Sequence, residues 1–508
     1  MKVAAFVLLA AFADSAWAAS ASCESVAKLK LPHTQLTEVK LVSRGALTTP
    51  PGPEGQPRAA NPVYAKLPAF CRVKATSRPT ADSEIKIEVW LPAQGWNGRL
   101  QALGNGGFTG NISLNNLAEA VTAHYAAVAT NTGHDSTTTN AEFALGHPEK
   151  LIDWGYRAVH EMTVSAKAII AAYYGSAPKY SYYTGCSTGG RQGLVAAERY
   201  PADFDGIAEG DPANPMTHQQ ASSLWGILAV NHDKDSFITP AQWNMIHQAA
   251  MKACDATDGL TDRLISNPVN CKFDPKSIQC KGAASESCLT VSQITAYDKL
   301  IAGPKNPRTG AQITPGWPYG PSLEGPNTGR EPIASATDTF RAVFQKPDWD
   351  YHTLNFDQDI ALADKLADPI MNAVNPEKLK ALFERGGKLL MYHGWNDRAI
   401  TPLLSIDYYN RAVALNGGRG RTGNLVRLFM VPGMGHCTGG EGPFDFDKIA
   451  PLVSWVETGK APDRIVASHL NGEHQVDRTR PLCPYPEMAK YQGSGSIDDA
   501  ANFSCAAP

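Results

Sequence analysis

The sequence predicts an α/β protein: a mostly parallel sheet covered by helices and broken by one large insertion. Three observations predict it. Short apolar strand candidates alternate with helix candidates between residues 85 and 209, the alternation stops near residue 211, and it resumes near residue 387. At 508 residues the chain is too long for one simple core, which fits a main domain carrying a second lobe.

The elements follow in order. Met1-Lys2, the apolar run from Val3 to Ala13 and the small-x-small pattern Ala16-Trp17-Ala18 make residues 1–18 an export signal, cut after Ala18. That run is too short to span a bilayer, and no later stretch is apolar enough for an anchor, so a secreted or periplasmic product without a membrane partner is expected. Residues 85–92 (IKIEVWLP) alternate as a half-buried strand does, and 99–103 lead into the turn Gly104-Asn105-Gly106-Gly107. His124 to Thr130 reads as a buried strand, and Trp154 to Tyr174 as a helix ending at Gly175. Tyr180 to Thr184 then forms a strand, Gly185 to Gly190 a tight turn, Arg191 to Tyr200 a helix and Phe204 to Glu209 a strand. From Asp211 to Asn372 the chain is rich in Pro, Gly, Asn and Trp, with little alternation. The pattern returns as strand Gly387–His393, helix Leu403–Leu415, strand Leu425–Val431 and helix Asp447–Glu457. The expected division is therefore core over 19–211 and 373–508, with a lid domain over 212–372 set in at a strand end, where loops are free to vary.

The net charge of −3 is spread evenly, and no basic stripe points to nucleic acid. The ten cysteines are Cys23, Cys71, Cys186, Cys254, Cys271, Cys280, Cys288, Cys437, Cys483 and Cys505. An even number in an exported chain implies disulfides, and the lack of any C-x-x-C pair argues against a zinc ribbon. Proximity suggests Cys254–Cys271, Cys280–Cys288 and Cys483–Cys505, although spacing alone leaves the connectivity open.

Gly185-Cys186-Ser187-Thr188-Gly189 fits G-x-S-x-G between a strand and a helix. A nucleophilic serine on so sharp a bend stands above the sheet, flanking glycines remove clashing side chains, and the helix N-terminus faces developing negative charge. With that turn the expected core is of the α/β-hydrolase type. The hydroxyl needs a base, and the base needs an acid, in the chain order Ser, acid, His at later strand ends. Of the three histidines beyond residue 393, His436 lies in a glycine loop after a strand, whereas His469 and His474 lie in a more polar stretch. Asp397 follows the preceding strand in His393-Gly394-Trp395-Asn396-Asp397; its competing role is to cap the next helix. Cys186 precedes Ser187 and Cys437 follows His436, so a base within reach of the serine would bring the two cysteines within bridging distance. The amide of Thr188 and one from the 104–107 turn, Gly107 first and Gly106 next, are the oxyanion-hole candidates. Asp255, Asp258 and Asp262 surround Gly259 without the EF-hand pattern; by spacing alone the cluster reads as a solvated acidic turn rather than a metal site. Aromatic residues of the insertion, Trp225, Trp317, Tyr319, Phe344 and Trp349 among them, are candidates for a pocket lining or for lid core.

The runs Gly185-Cys-Ser-Thr-Gly-Gly-Arg-Gln-Gly193, His393-Gly-Trp-Asn-Asp397 and Gly433-Met-Gly-His-Cys437 strongly resemble the tannase and feruloyl esterase family, which also holds hydrolases of mono(2-hydroxyethyl) terephthalate. The resemblance spans nearly the whole mature chain. It implies an α/β-hydrolase core with a lid, a small aromatic ester as substrate, and no organic cofactor. It also implies five bridges: Cys23–Cys71, Cys186–Cys437, Cys254–Cys271, Cys280–Cys288 and Cys483–Cys505. The acidic turn becomes a structural Ca2+ site by the same resemblance, with Asp255, Asp258, Asp262 and the carbonyls of Leu260 and Leu264 as ligands. Feruloyl esters are the first expectation; galloyl esters and mono(2-hydroxyethyl) terephthalate are the alternatives. From another class, a non-catalytic secreted binding protein on the same scaffold remains open.

Overall fold

The computed structural model describes residues 22–50, 61–137 and 139–508, so the predicted signal segment lies outside the described residues. Nine strands build the main sheet: β1 (Thr34–Val42), β2 (Phe70–Ser77), β3 (Ile85–Pro92), β4 (Arg99–Leu103), β5 (Ala126–Thr130), β6 (Tyr180–Cys186), β7 (Gly206–Gly210), β8 (Lys388–Gly394) and β9 (Val426–Val431). Their spatial order is β1-β2-β3-β5-β4-β6-β7-β8-β9. β1, β2, β3 and β5 run antiparallel to their neighbours in turn, while β5, β4 and β6 to β9 are parallel. Two small hairpin sheets, β10 (Ile465–Leu470) with β11 (Val476–Leu482) and β12 (Met488–Tyr491) with β13 (Phe503–Ala506), complete the C-terminal part. This is an α/β-hydrolase core.

The period-2 alternation of the strands explains why both faces are covered. Val89, Ile207, Met391 and Leu428 point to one side, where helices Ala158–Tyr174, Thr188–Arg199 and Pro402–Leu415 pack. Trp90, Ala208, Leu390 and Phe429 point to the other, against helices Leu114–Thr122 and Ala450–Thr458. Two further apolar clusters lie largely in the segment between β7 and β8; Phe340 and Trp349 belong to one, Trp243, Tyr297 and Trp317 to the other. Trp317 and Trp349 are therefore core residues of the insertion.

Every strand predicted from the sequence is present, with ends moved by at most a few residues. β1 and β2 were not foreseen: β1 is a half-exposed edge strand carrying charge, so its alternation is weak. The helix expected from Trp154 begins regularly at Ala158, because Asp153–Arg157 forms one wider π turn; buried Asp153 accepts there from Arg157 at 2.9 Å and Ser83 at 3.1 Å. Gly175 ends that helix at φ 75°, as expected of a C-cap. The last predicted helix starts at Ala450 rather than Asp447, since the Asp447 carboxylate accepts from the amides of Ile449 and Ala450.

Candidate active site

The carboxyl ends of the parallel strands meet along one edge of the sheet, where α/β folds place ligands. Ser187 follows β6, Asp211 follows β7, Asp397 follows β8 and His436 follows β9. Register enforces the proximity: Cys186 pairs with Gly210, Gly210 with Tyr392, and Gly394 with Val431.

Ser187 has φ 62° and ψ −124°, a strained conformation for a residue with a Cβ. Its amide donates to the Gly210 carbonyl at 2.9 Å, and its carbonyl accepts from Arg191 at 3.0 Å and Ala213 at 3.2 Å. The glycines are required by contact. A Cβ on Gly185 would stand 2.6 Å from the Gly189 carbonyl oxygen, and one on Gly189 2.9 Å from that of Asn105. Thr188 opens the following helix, so its amide has no intrahelical acceptor. The turn Gly104–Gly107 leans on this elbow: the Asn105 amide donates to Gln192 Oε1 at 3.0 Å, and its side-chain amide to the Thr130 carbonyl at 2.8 Å. Gly107 sits at φ 51° beside Thr139, and Gly106 borders open space.

His436 Nδ1 lies 2.7 Å from Asp397 Oδ2. The carboxylate can only accept, so Nδ1 carries the proton and Nε2 is left as the basic nitrogen. Asp397 is fully buried; its Oδ1 accepts from the amides of Ala399 at 2.7 Å and Ile400 at 3.0 Å, and Oδ2 also lies 3.2 Å from His393 Nε2. The capping role considered for Asp397 falls instead to Thr401, whose hydroxyl accepts from the Leu403 amide at the start of helix Pro402–Leu415; Asp397 Oδ1 closes the turn ahead of that helix, while Oδ2 meets His436. Burial works to raise the Asp397 carboxyl, but the His436 and His393 rings outweigh it and hold the group below the ordinary carboxylate range. For His436, burial lowers the imidazole, yet the Asp397 charge prevails and the ring protonates above its ordinary value.

Cys186 and Cys437 are bridged, with Cα atoms 6.0 Å apart, which joins the residue before Ser187 to the residue after His436. The other pairs are Cys23–Cys71, Cys254–Cys271, Cys280–Cys288 and Cys483–Cys505. Five disulfides fit a protein of an oxidising, extracellular compartment. Among the described residues no helix is long and apolar enough to cross a membrane.

The insertion touches the Asp397 loop directly. Trp317 Nε1 donates to the Asp397 carbonyl at 3.2 Å, and Asn327 Nδ2 donates to the carbonyls of Arg398 and Ala399 at 2.9 and 3.0 Å. Farther off, the acidic turn is compact. Asp255 accepts from the amides of Asp262 and Arg263, Asp258 from that of Leu260, and Asp262 from the Leu264 amide and, at 2.6 Å, from Arg480. Asp255 and Asp262 are buried, and oxygen is the donor a hard cation takes, but here backbone amides and Arg480 occupy these carboxylates, and among the described residues the oxygens of Asp255, Asp258 and Asp262 do not converge to within 4.8 Å of one another.

Two groups at the site escaped sequence reasoning. Asp211 and His393 are wholly buried against Asp397, and each lies at or next to a predicted strand end. That position was the available signal.

The description "Tannase and feruloyl esterase" matches residues 71–506 as a family model. An uncharacterized esterase of Xanthomonas campestris is 37% identical, covering 96% of this chain and 91% of its own length. The mono(2-hydroxyethyl) terephthalate hydrolase of Piscinibacter sakaiensis is 34% identical over 87% of this chain and 86% of its own. The crystal structure of feruloyl esterase B from Aspergillus oryzae superposes with a TM-score of 0.87 at 29% identity, covering 95% of this chain and 99% of that one. The chain belongs to the tannase and feruloyl esterase family and is a carboxylic ester hydrolase.

Proposed function

We propose that the protein hydrolyses esters of aromatic, phenolic acids, feruloyl esters foremost, through an acyl-enzyme on Ser187. The observation that carries this reading is the Asp397–His436 hydrogen bond held beside the strained serine by the Cys186–Cys437 bridge. His436 Nε2 takes the Ser187 proton as Oγ attacks the ester carbonyl, then returns it to the departing alcohol. Water, activated by the same nitrogen, releases the acid. Asp397 keeps the ring in its Nδ1–H form and balances the imidazolium charge. The amides of Thr188 and Gly107 receive the tetrahedral oxyanion. Residues 212–372 act as a lid that covers a small substrate, and residues 1–18 are removed on export.

Asp255, Asp258 and Asp262, with the carbonyls of Leu260 and Leu264, would hold a structural Ca2+, whose charge would offset the three carboxylates. A second reading, a hydrolase of mono(2-hydroxyethyl) terephthalate, is favoured by the relative of that name at 34% identity. Rates on methyl ferulate, methyl gallate and mono(2-hydroxyethyl) terephthalate decide between them. The highest kcat/KM is expected on methyl ferulate; a preference for the terephthalate monoester would replace the first reading. Ser187→Ala should lose at least about 10^3-fold in kcat with its melting temperature kept.

A further inference from the structure

Asp211 takes no part in the proton transfers of the hydrolysis, yet it is built into the site. It is fully buried and holds φ 41°, a left-handed conformation that non-glycine residues adopt only where their surroundings enforce it. Its backbone neighbours wrap the nucleophile: Gly210 O accepts from the Ser187 amide at 2.9 Å, and the Ala213 amide donates to the Ser187 carbonyl at 3.2 Å. Its own amide donates to Tyr392 O at 3.0 Å, and its Oδ1 accepts from the Gly394 amide at 3.0 Å. One residue thus ties the serine turn to the Asp397 loop.

The carboxyl also closes on the reacting groups. One oxygen each of Asp211 and Asp397 and a ring nitrogen of His436 lie within 4.8 Å of one another, Asp211 Oδ2 is 3.4 Å from Cys186 Sγ, and Oδ1 is 3.6 Å from His393 Nε2. Glu209, two residues back and equally buried, has both carboxylate oxygens without a partner. Among the described residues no lysine or arginine bonds to Glu209, Asp211 or Asp397. The titratable groups facing Asp211 are Glu209, Tyr392, His393, Asp397, His436 and, more distantly, Lys448. Two carboxylates so close in a dry site do not both ionise. Asp397 holds two amides and the two rings, so the charge resides there.

We propose that Asp211 is a positioning residue of the hydrolysis: a neutral carboxylic acid that fastens the Asp397 loop to the serine turn and leaves the pair's single negative charge on Asp397. Burial first and the Asp397 charge second push the Asp211 carboxyl well above the ordinary carboxylate range, in agreement with this assignment. The proposal rests on Ser187, Asp397 and His436 being the reacting groups.

The test compares Asp211→Ala with Asp211→Asn, the neutral isostere, on the best ester substrate. Asp211→Ala should lower kcat about 10- to 100-fold with KM within about threefold, since a loosened acid loop misplaces the base rather than the substrate. Asp211→Asn should recover at least about tenfold of that loss, because its amide can accept from Gly394 and donate to Asp397. The acid limb of kcat/KM against pH should stay within about 0.3 unit in Asp211→Asn, because no charge is removed from beside His436. A wild-type kcat in Asp211→Ala, an Asn variant no better than Ala, or an acid limb moved down by about one unit overturns the proposal. Should the Ala variant not fold, the limb of the Asn variant decides alone. Ser187→Ala is measured in the same series: its retaining activity would refute the underlying reading instead.

Discussion

His436 meets Asp397 through Nδ1, and that contact sets the direction of the pH dependence. Burial lowers the imidazole, the Asp397 carboxylate raises it by more, and the ring protonates above its ordinary value of 6.5. A protonated His436 cannot take the serine proton. Activity, read as kcat/KM, should therefore fall as pH drops, with a midpoint above about 6.5. Asp397→Asn removes the raising charge and leaves the burial, so the midpoint should move below that value while kcat falls about 10^3- to 10^4-fold. A midpoint unchanged in that variant would show that another group titrates. Ser187 and Asp397 were legible at this scale because a strand-end motif carries each. Asp211 was not, since an aspartate after a strand also reads as an ordinary turn residue.

At the scale of elements, the site is a set of loops at the carboxyl ends of β6, β7, β8 and β9, and what joins them is largely backbone. A Cβ on Gly394 would run into the carbonyls of Met434 and Gly435, so the Asp397 loop and the His436 loop approach as closely as glycine permits. The Cys186–Cys437 bridge closes a span of 251 residues between the serine turn and the base loop. The double variant Cys186→Ser, Cys437→Ser should lose on the order of 3–5 kcal/mol in the chain-entropy model, read from denaturant midpoints. Its kcat should fall as well, because the bridge joins the neighbour of Ser187 to the neighbour of His436. The acidic turn offers a separate test. Chelation should lower the melting temperature by several degrees and added Ca2+ should restore it, with Asp258→Asn weakening the response; no response to chelator would remove the ion from the reading.

For the whole molecule, buried acids set how stability follows pH. Burial pushes the Glu198 carboxyl up to about 7, outweighing the hydrogen bonds it accepts from Tyr408 and the Asn375 amide. Asp153, buried beside Ser83 and Arg157, rises to about 6. A folded value above the unfolded one means the folded chain binds more protons in the window between them, so stability declines as pH rises. The raised imidazoles of His160, His218, His247 and His436 act in the same sense over a higher window. The melting temperature should be higher near pH 5 than near pH 8, and Glu198→Gln should flatten the profile; a higher value at pH 8 would contradict this balance.

The alternation of strands and helices, the serine turn, the strand-end positions of Asp397 and His436 and the loss of alternation after residue 211 were all determined by the sequence, because each rests on local periodicity or local turn geometry. Edge strand β1, the half-exposed C-terminal hairpins and the π turn before Ala158 were not, for their residues carry no clean period. Only the tertiary structure decided which groups share the site. Asp211 reaches Asp397 from the end of the neighbouring strand β7, and Trp317 and Asn327 reach the Asp397 loop from the segment between β7 and β8. Such contacts depend on sheet register and on loops crossing between strands, a relation between distant segments that no local pattern encodes.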